Sequence, residues 1–209
     1  MDYEQPQPLP QPESSPTPVP KVENPWIETG KTIVLSILLA VGIRGLVAEA
    51  RYIPSGSMLP TLQINDRLII DKVSYRFAEP VRGDIVVFNP PDKLGSKDAY
   101  IKRLIGLPGD RVEVKDGGTV YINGKALAEK YVSDRAKYVW TKTESSDPDF
   151  TPNIIVPKDH YLVLGDNRNN SLDSHYWGFV SKDHLIGKAV VRFWPIDRAG
   201  GIDPQPDYN

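Results

Sequence analysis

Residues 111–124 read RVEVKDGGTVYING, and this stretch favours an antiparallel β fold. Apolar and polar residues alternate along RVEV and along TVYI, which is typical of strands that bury one face. The turn-forming sequences at residues 116–118 (DGG) and 123–124 (NG) lie on either side of TVYI. Short strands separated by tight turns predict neighbouring antiparallel strands.

Four further runs after residue 51 have the same β character. Each is short, rich in branched aliphatic or aromatic residues, and bounded by turn residues: Arg67–Asp71 (RLIID), 84–88 (DIVVF), His160–Leu164 (HYLVL) and 186–194 (IGKAVVRFW). No strong helical periodicity and no internal repeat follows residue 51. We therefore predict one mainly β, antiparallel domain over 51–209, with the polar, irregular stretch 126–157 as a small insertion or flap.

The amino-terminal 25 residues differ in composition from the rest of the chain. They hold eight of the 20 prolines and almost no large apolar residues. Such a segment cannot bury enough surface to offset its chain entropy. We predict a disordered tail over 1–25 with polyproline II character.

An uncharged run of 12 residues follows, TIVLSILLAVGI at 32–43. It is shorter than the roughly 20 apolar residues that span a bilayer, so a buried core helix or a signal-peptide core would also fit. Trp26 before the run and Arg44 after it favour a membrane helix, because aromatic rings and snorkelling cations suit the two interfaces. We predict one transmembrane anchor within 26–50, whose orientation the charges on either side do not decide.

Bulk charge and cysteine content exclude several classes of function. Lys and Arg total 25, Asp and Glu total 27, and the net charge is −2. This balance argues against a nucleic-acid partner, which would normally require a basic face. The chain has no cysteine, which excludes disulfides, thiolate catalysis and cysteine-based zinc sites.

The first segment with candidate catalytic residues is RYIPSGSMLPTL at 51–62. A nucleophilic serine must be presented on a fixed turn, with a donor nearby for the oxyanion. Ser57 fits the nucleophile, and the hydroxyl of Ser55 fits the donor. A hydroxyl-rich turn with no catalytic role is the alternative, because serine favours turns.

The second segment, AYIKRLIGLPGD at 99–110, holds a candidate base. If it forms a strand, Tyr100 and Lys102 share one face, and burial of Lys102 among apolar residues would lower its pKa. A surface lysine paired with Asp98 or Asp110 is the alternative. A Ser–His–Asp triad through His175, which lies near Asp173 in sequence, is the competing mechanism.

The third segment, LGDNRNNSLDSHYWGFV at 164–180, is dense in short polar side chains. We predict that Ser171 hydrogen-bonds the lysine amine and that Asp173 and Arg168 form an ion pair that fixes the loop. The alternative is a polar turn that satisfies only its own backbone. It does not match a calcium loop, because Ser171 stands where such a loop has glycine.

Four motifs in this order resemble those of type I signal peptidases: PSGSMLPTL, GDIVVFNPP, YIKRLIGLPGD and GDNRNNSLDSHYWGFV. They follow an apolar segment, as in that family, and the resemblance covers about residues 26–195. One departure is Asn169, where the family often has aspartate. The resemblance implies that Ser57 is the nucleophile and Lys102 the general base. It further implies roles for the Ser55 hydroxyl and the Ser57 N–H in the oxyanion hole, for Ser171 in positioning the lysine, and for Asp173, Arg168 and Tyr100 as supporting residues.

The resemblance also implies a fold, a substrate and a location. The fold would be a mainly β catalytic domain shared with LexA-like self-cleaving proteins, and the substrate a signal peptide of a secretory preprotein with small residues at the third and first positions before the cut. The enzyme would sit in a lipid bilayer as a single-pass protein. Its catalytic domain would be on the outer (periplasmic or lumenal) face, in contact with the export machinery, and it would need no metal and no organic cofactor.

Three alternatives remain open from the sequence. A LexA-like regulator would also use serine and lysine, but should carry a DNA-binding helical domain. A membrane-tethered β domain that binds extended peptides without cleaving them would keep the same fold. A metal-assisted hydrolase is disfavoured by the presence of only three histidines and no cysteine.

Overall fold

The structure is a computed structural model that describes residues 24–137 and 154–202. The chain divides into two compact units, Met1–Ala40 and Val41–Asn209. The predicted proline-rich tail lies outside the described residues up to position 23. The same holds for residues 138–153 of the predicted insertion.

A single long helix, α1 (Pro25–Leu46), contains the apolar run. Its 22 residues give a length of about 33 Å at 1.5 Å per residue. The window Pro25–Gly42 has a mean hydropathy of 1.2 and is 0% buried within the molecule. By length and composition α1 is therefore able to cross a membrane.

The helix ends before the carboxyl-terminal limit of the predicted anchor segment, residue 50. The helix ends at Leu46, and Ala48–Tyr52 forms the first strand, β1, rather than continuing the helix to residue 50. Antiparallel pairing with Arg67–Asp71 accounts for the change, with Ala48 opposite Asp71 and Tyr52 opposite Arg67.

The rest of the chain is mainly antiparallel β, as predicted. After β1 the strands are β2 (Arg67–Asp71), β3 (Ile85–Phe88), β4 (Tyr100–Gly106), β5 (Arg111–Lys115), β6 (Thr119–Ile122), β7 (Lys125–Ala126), β8 (Ile154–Ile155), β9 (His160–Leu164), β10 (Val180–Ser181), β11 (Leu185–Trp194) and β12 (Gly200–Gly201). Two one-turn α-helices are α2 (Ser74–Phe77) and α3 (Ser174–Trp177). Short 3₁₀ turns occupy Asp92–Leu94, Arg168–Asn170, Lys182–His184 and Ile196–Arg198.

The larger sheet has the strand order β1-β2-β11-β3-β4-β9-β10, with β12 added to β11. Every pairing in it is antiparallel. The central strand β3 buries all four of its residues, so both of its faces are covered. Strand β4 pairs with β3 along residues 100–103 and with β9 only from Arg103 onward.

The smaller sheet has the order β7-β6-β5-β8 and contains the stretch RVEVKDGGTVYING. Strands β5 and β6 pair in the register that the turn at 116–118 predicts, with Val114 opposite Val120. Both ends of the predicted insertion belong to this sheet, because Ala126 closes β7 and Ile154 pairs with Val112 of β5.

Three apolar clusters hold the two sheets. One fills the smaller sheet, and the other two lie on the faces of the larger sheet. The cluster that contains the buried residues of β2 also includes Ile53, Met58 and Leu62, which lie around Ser57 in the sequence. Burial of these side chains, each worth about 1.5–3 kcal/mol, fixes the turn that carries Ser57.

Candidate active site

The structure brings Ser57 and Lys102 together from segments 45 residues apart. Lys102 Nζ donates a hydrogen bond of 2.8 Å to Ser57 Oγ and one of 2.9 Å to the carbonyl of Ile101. Lys102 is 5% exposed and Ser57 is 8% exposed. The pair is therefore shielded from water and in direct contact.

Burial changes the acidity of Lys102. Desolvation lowers its pKa from 10.5 to about 8, although the charges of Asp173 and Asp166 raise it in part. The neutral amine is thus accessible near physiological pH, as a general base requires. The predicted burial of Lys102 in a strand agrees with its place in β4.

The turn before Ser57 is held by backbone pairing. Ile53 N donates to Asp66 O at 2.8 Å, and Asn65 N donates to Ile53 O at 2.8 Å, which continues the β1–β2 ladder beyond Tyr52. Ser55 Oγ then lies 3.4 Å from Ser57 Oγ and donates to it. The two hydroxyls predicted to act together are therefore adjacent.

Tyr100 lies on the same strand as Lys102, two residues earlier. Its ring centroid is 5.6 Å from Lys102 Nζ, and the ring packs edge-on against Phe88 with centroids 6.2 Å apart. Tyr100 thus forms an aromatic wall beside the amine.

The loop after β9 holds the backbone of the serine motif. Asn167 donates from its backbone N to Ser57 O at 3.1 Å and from Nδ2 to Gly56 O at 3.0 Å. Gly165 permits this close approach, because a Cβ there would lie 2.5 Å from Ser57 O and 2.2 Å from Ser171 Oγ. Any side chain at position 165 would therefore push the two segments apart.

A buried ion pair lies next to Lys102. Arg103 donates from Nε and Nη2 to Asp166 at 2.9 and 2.7 Å, and from Nη1 to Gly83 O at 3.0 Å. Thr61 donates to the same carboxylate at 2.5 Å. Burial opposes the charge of Arg103, but the hydrogen bond and charge of Asp166 outweigh it, so the pKa of Arg103 is raised.

The predicted ion pair between Asp173 and Arg168 is wrong. Asp173 instead accepts hydrogen bonds from Gly165 N at 2.8 Å and from the ring Nδ1 of His175 at 2.7 Å, and it caps α3. Arg168 pairs with Glu129, from beyond the smaller sheet, through two hydrogen bonds. The sequence could not reveal this partner, because Glu129 lies 39 residues away.

The predicted hydrogen bond between Ser171 and Lys102 is also absent. Among the described residues, Ser171 Oγ is buried without a hydrogen-bond partner, and it lies beside Gly165. Ser171 nevertheless lies at the site, because Gly165 is in close contact with both Ser171 Oγ and the carbonyl oxygen of Ser57.

The two candidate bases lie in different surroundings. The hydrogen-bond partners of the Ser57 hydroxyl are Lys102 and Ser55. His175 does bond with Asp173, as a triad would need, but this pair supports the loop at Gly165. Within the described residues no group of three or more His, Asp or Glu side chains is placed to hold a metal ion.

The sequence argument missed several residues that build the site. Five residues contact the site directly or through one neighbour: Arg103, Asp166, Asn167, Thr61 and Glu129. One signal was available: Arg103 is a charged residue inside an apolar strand, and such a residue needs a buried partner. The identity of the carboxylate could not be predicted, because Asp166 is separated from Arg103 by 63 positions in the sequence.

Comparison with known proteins matches the chain to signal peptidases. A sequence model described as signal peptidase, peptidase S26, matches residues 26–194. A probable signal peptidase I-2 of Synechocystis sp. is 59% identical, over 85% of this chain and 78% of its own. Signal peptidase I of Leptolyngbya laminosa is 50% identical, over 98% of each chain. A solved signal peptidase I from Enterococcus faecalis V583 is 36% identical over 53% of this chain and 97% of its own, with a TM-score of 0.43.

Fold and relatives together define a membrane-associated serine endopeptidase. The chain belongs to the signal peptidase family, peptidase S26. Its activity is the removal of signal peptides, and the DNA-linked and non-enzymatic alternatives are not favoured.

Proposed function

We propose that Ser57 is the nucleophile of this signal peptidase and that Lys102 is its general base. The observation that carries the proposal is the buried 2.8 Å contact between Lys102 Nζ and Ser57 Oγ. A pKa of about 8 leaves an appreciable fraction of the amine neutral at pH 7, against about 1 in 2,500 for an ordinary lysine.

The reaction then runs in two steps. Neutral Lys102 accepts the hydroxyl proton while Ser57 Oγ attacks the scissile carbonyl carbon. The lysine returns this proton to the leaving amine as the peptide bond breaks, and an ester forms on Ser57. Lys102 then takes a proton from water, whose oxygen attacks the ester carbon. As the ester bond breaks, Lys102 returns this proton to Ser57 Oγ and the signal peptide leaves.

We assign the developing oxyanion to the Ser55 hydroxyl and the Ser57 N–H. Ser55 Oγ is 3.4 Å from the nucleophilic oxygen, so rotation about one bond aims it at an oxygen on the attacked carbon. The Gly56 and Ser57 carbonyls are already engaged by Asn167, which keeps this turn rigid during attack.

The edge of β4 offers a binding position for the substrate. Within the described residues, Tyr100–Lys102 pair with β3 on one side and have no strand on the other, because β9 begins its pairing at Arg103. An extended peptide added at this edge passes the nucleophile directly. Small residues at the third and first positions before the cut are the preferred substrates in this proposal.

We place α1 in the lipid bilayer as a single-pass anchor, with the catalytic domain on the outer (periplasmic or lumenal) face. The apolar composition of α1 supports the first part. The substrate supports the second, because the cleaved end of a signal peptide emerges on that side, where contact with the export machinery follows. Protease protection in sealed vesicles of known orientation tests this side: digestion of residues 51–209 from the cytoplasmic face contradicts it.

The catalytic proposal is tested by cleavage of a preprotein with an A-x-A site by the full chain in detergent. We expect the parent to cut after the second alanine and Ser57→Ala and Lys102→Ala to be inactive. Ser133→Ala and Lys115→Ala are matched controls, since both residues are exposed. Binding without cleavage by the parent would favour the peptide-binding alternative, and cleavage by Lys102→Ala would move the base elsewhere, with His175 next.

A further inference from the structure

Tyr131 connects the smaller sheet to the ion pair beside Lys102. The guanidinium carbon of Arg103 lies 4.0 Å from the centroid of the Tyr131 ring, in cation–π contact. The ring also packs against the apolar cluster of the smaller sheet. Burial and the charge of Glu129 raise the pKa of Tyr131, so its hydroxyl stays protonated and donates to Glu129 at 2.9 Å.

Glu129 continues the connection to the loop that holds Ser57. Its carboxylate accepts two hydrogen bonds from Arg168, one of them 2.8 Å long, and the Arg168 side chain is 1% exposed. Arg168 Nε in turn donates to Gly165 O at 3.0 Å. Gly165 lies two residues before Asn167, which bonds to the carbonyls of Gly56 and Ser57.

Two arms therefore start from the segment that follows β7. One runs from Tyr131 through Arg103 and Asp166 to the surroundings of Lys102, and the other from Glu129 through Arg168 to the backbone of Ser57. Both residues lie outside the four motifs that identify the family. Their position shows that this part of the predicted insertion packs behind the catalytic pair and is not a detached flap.

We propose that Tyr131 and Glu129 are positioning residues, which hold the two buried arginines and thereby fix the general base and the nucleophile relative to each other. The proposal rests on the roles given above to Ser57 and Lys102. Neither residue touches the reacting atoms, so their effect on the reaction passes through Arg103 and Arg168.

Loss of the Tyr131 ring has a defined electrostatic sign. Without the ring, Arg103 moves more freely and compensates the Asp166 charge less well, and that charge raises the pKa of Lys102. Water that enters beside Arg103 also weakens the desolvation that lowers the same pKa. Both effects act in one direction, so cleavage should require a higher pH.

The test is the pH profile of kcat/KM for the full chain in detergent, from about pH 6 to about pH 10. For Tyr131→Leu we expect the acidic limb to move up by about half a pH unit, with about a threefold loss at pH 7 that is recovered at high pH. Tyr131→Phe keeps the ring, so the acidic limb of its pH profile should lie at the same pH as that of the parent. If Tyr131→Leu does not fold, Tyr131→Met is used, because its flexible side chain fills the gap without an aromatic face.

Tyr121→Leu is the matched control. Like Tyr131, Tyr121 lies under a cation, here Lys115, whose Nζ is 4.5 Å from the ring centroid. Its hydroxyl also donates to a carboxylate, that of Asp116, at 2.7 Å. Within residues 24–137 and 154–202 Tyr121 makes no hydrogen bond to the loop after β9, so the acidic limb of Tyr121→Leu should not move. An unmoved limb in the folded Tyr131→Leu variant, or an equal shift in Tyr121→Leu, overturns the proposal. A parent without a limb near pH 8 would instead overturn the role of Lys102.

Discussion

Replacing Lys102 by methionine should stabilise the protein while it abolishes cleavage. The lysine is 5% exposed, and its pKa falls from 10.5 to about 8 on folding. A depression of this size corresponds to roughly 3 kcal/mol of cost in the folded state at neutral pH. Methionine has a similar length and no charge, and the hydrogen bonds lost at Ser57 and Ile101 offset about 1 kcal/mol.

The pH dependence of this gain follows from the direction of the shift. Between pH 8 and pH 10.5 the unfolded chain keeps the lysine proton and the folded protein has released it. The parent therefore becomes more stable as pH rises through this window. The advantage of Lys102→Met should be complete below pH 8 and should vanish near pH 10.5.

Denaturant unfolding of both full chains in the same detergent measures the difference. We expect Lys102→Met to be more stable by roughly 1–3 kcal/mol at pH 7 and equal to the parent near pH 10.5. Lys182→Met is the control, because Lys182 forms an exposed surface pair with Glu79 and its loss should leave stability close to that of the parent. A variant less stable than the parent at pH 7, or a gain that does not depend on pH, would refute the burial argument.

Three further changes test separate parts of the site. Gly165→Ala places a Cβ 2.5 Å from the carbonyl of Ser57, so we expect about a hundredfold loss of kcat, whereas near-parental turnover would contradict the close approach. Asp166→Asn leaves Arg103 buried without its ion-pair partner, and thermal unfolding should show a loss of about 3–5 kcal/mol; an unchanged Tm would disprove the network. Ser55→Ala should lower kcat by about 10²–10³ with little change in KM, and an unaffected kcat would remove Ser55 from the oxyanion hole.

Alternation and turn residues were sufficient to predict most of the strands. Arg67–Asp71, Thr119–Ile122 and His160–Leu164 occur with the predicted bounds, because each carries its own apolar face and its own turns. The two-residue strands such as β8 and β10 were not predicted, since so short a run has no periodicity of its own. Their pairing is imposed by the longer strands beside them.

The end of the membrane helix shows a different limit. Hydropathy locates the apolar centre of α1 but not its last residue, because Ala48 and Ala50 by themselves favour continuation of the helix. Pairing with Arg67–Asp71 makes Ala48–Tyr52 a strand, and this pairing cannot be predicted from the local sequence.

Within the site, the residue types were predictable and their partners were not. The apolar neighbours of Lys102 left an inward-facing and a surface lysine as alternatives, and the structure shows the buried one. Arg168 and Asp173 were predicted to pair with each other. In the structure Arg168 meets Glu129, 39 residues away, which no local pattern could reveal. Asp173 instead completes its hydrogen bonds with Gly165 N and with its near neighbour His175.

The most direct test of the central claim is the pH dependence of kcat/KM for preprotein cleavage by the parent enzyme. If neutral Lys102 activates Ser57, cleavage should rise with pH and reach half its maximum at about pH 8, the pKa that burial gives this lysine. A half-maximum near about pH 6.5 would indicate a histidine as the base. A profile that continues to rise to pH 10.5 would mean that the lysine has its ordinary pKa, and either result would contradict the account.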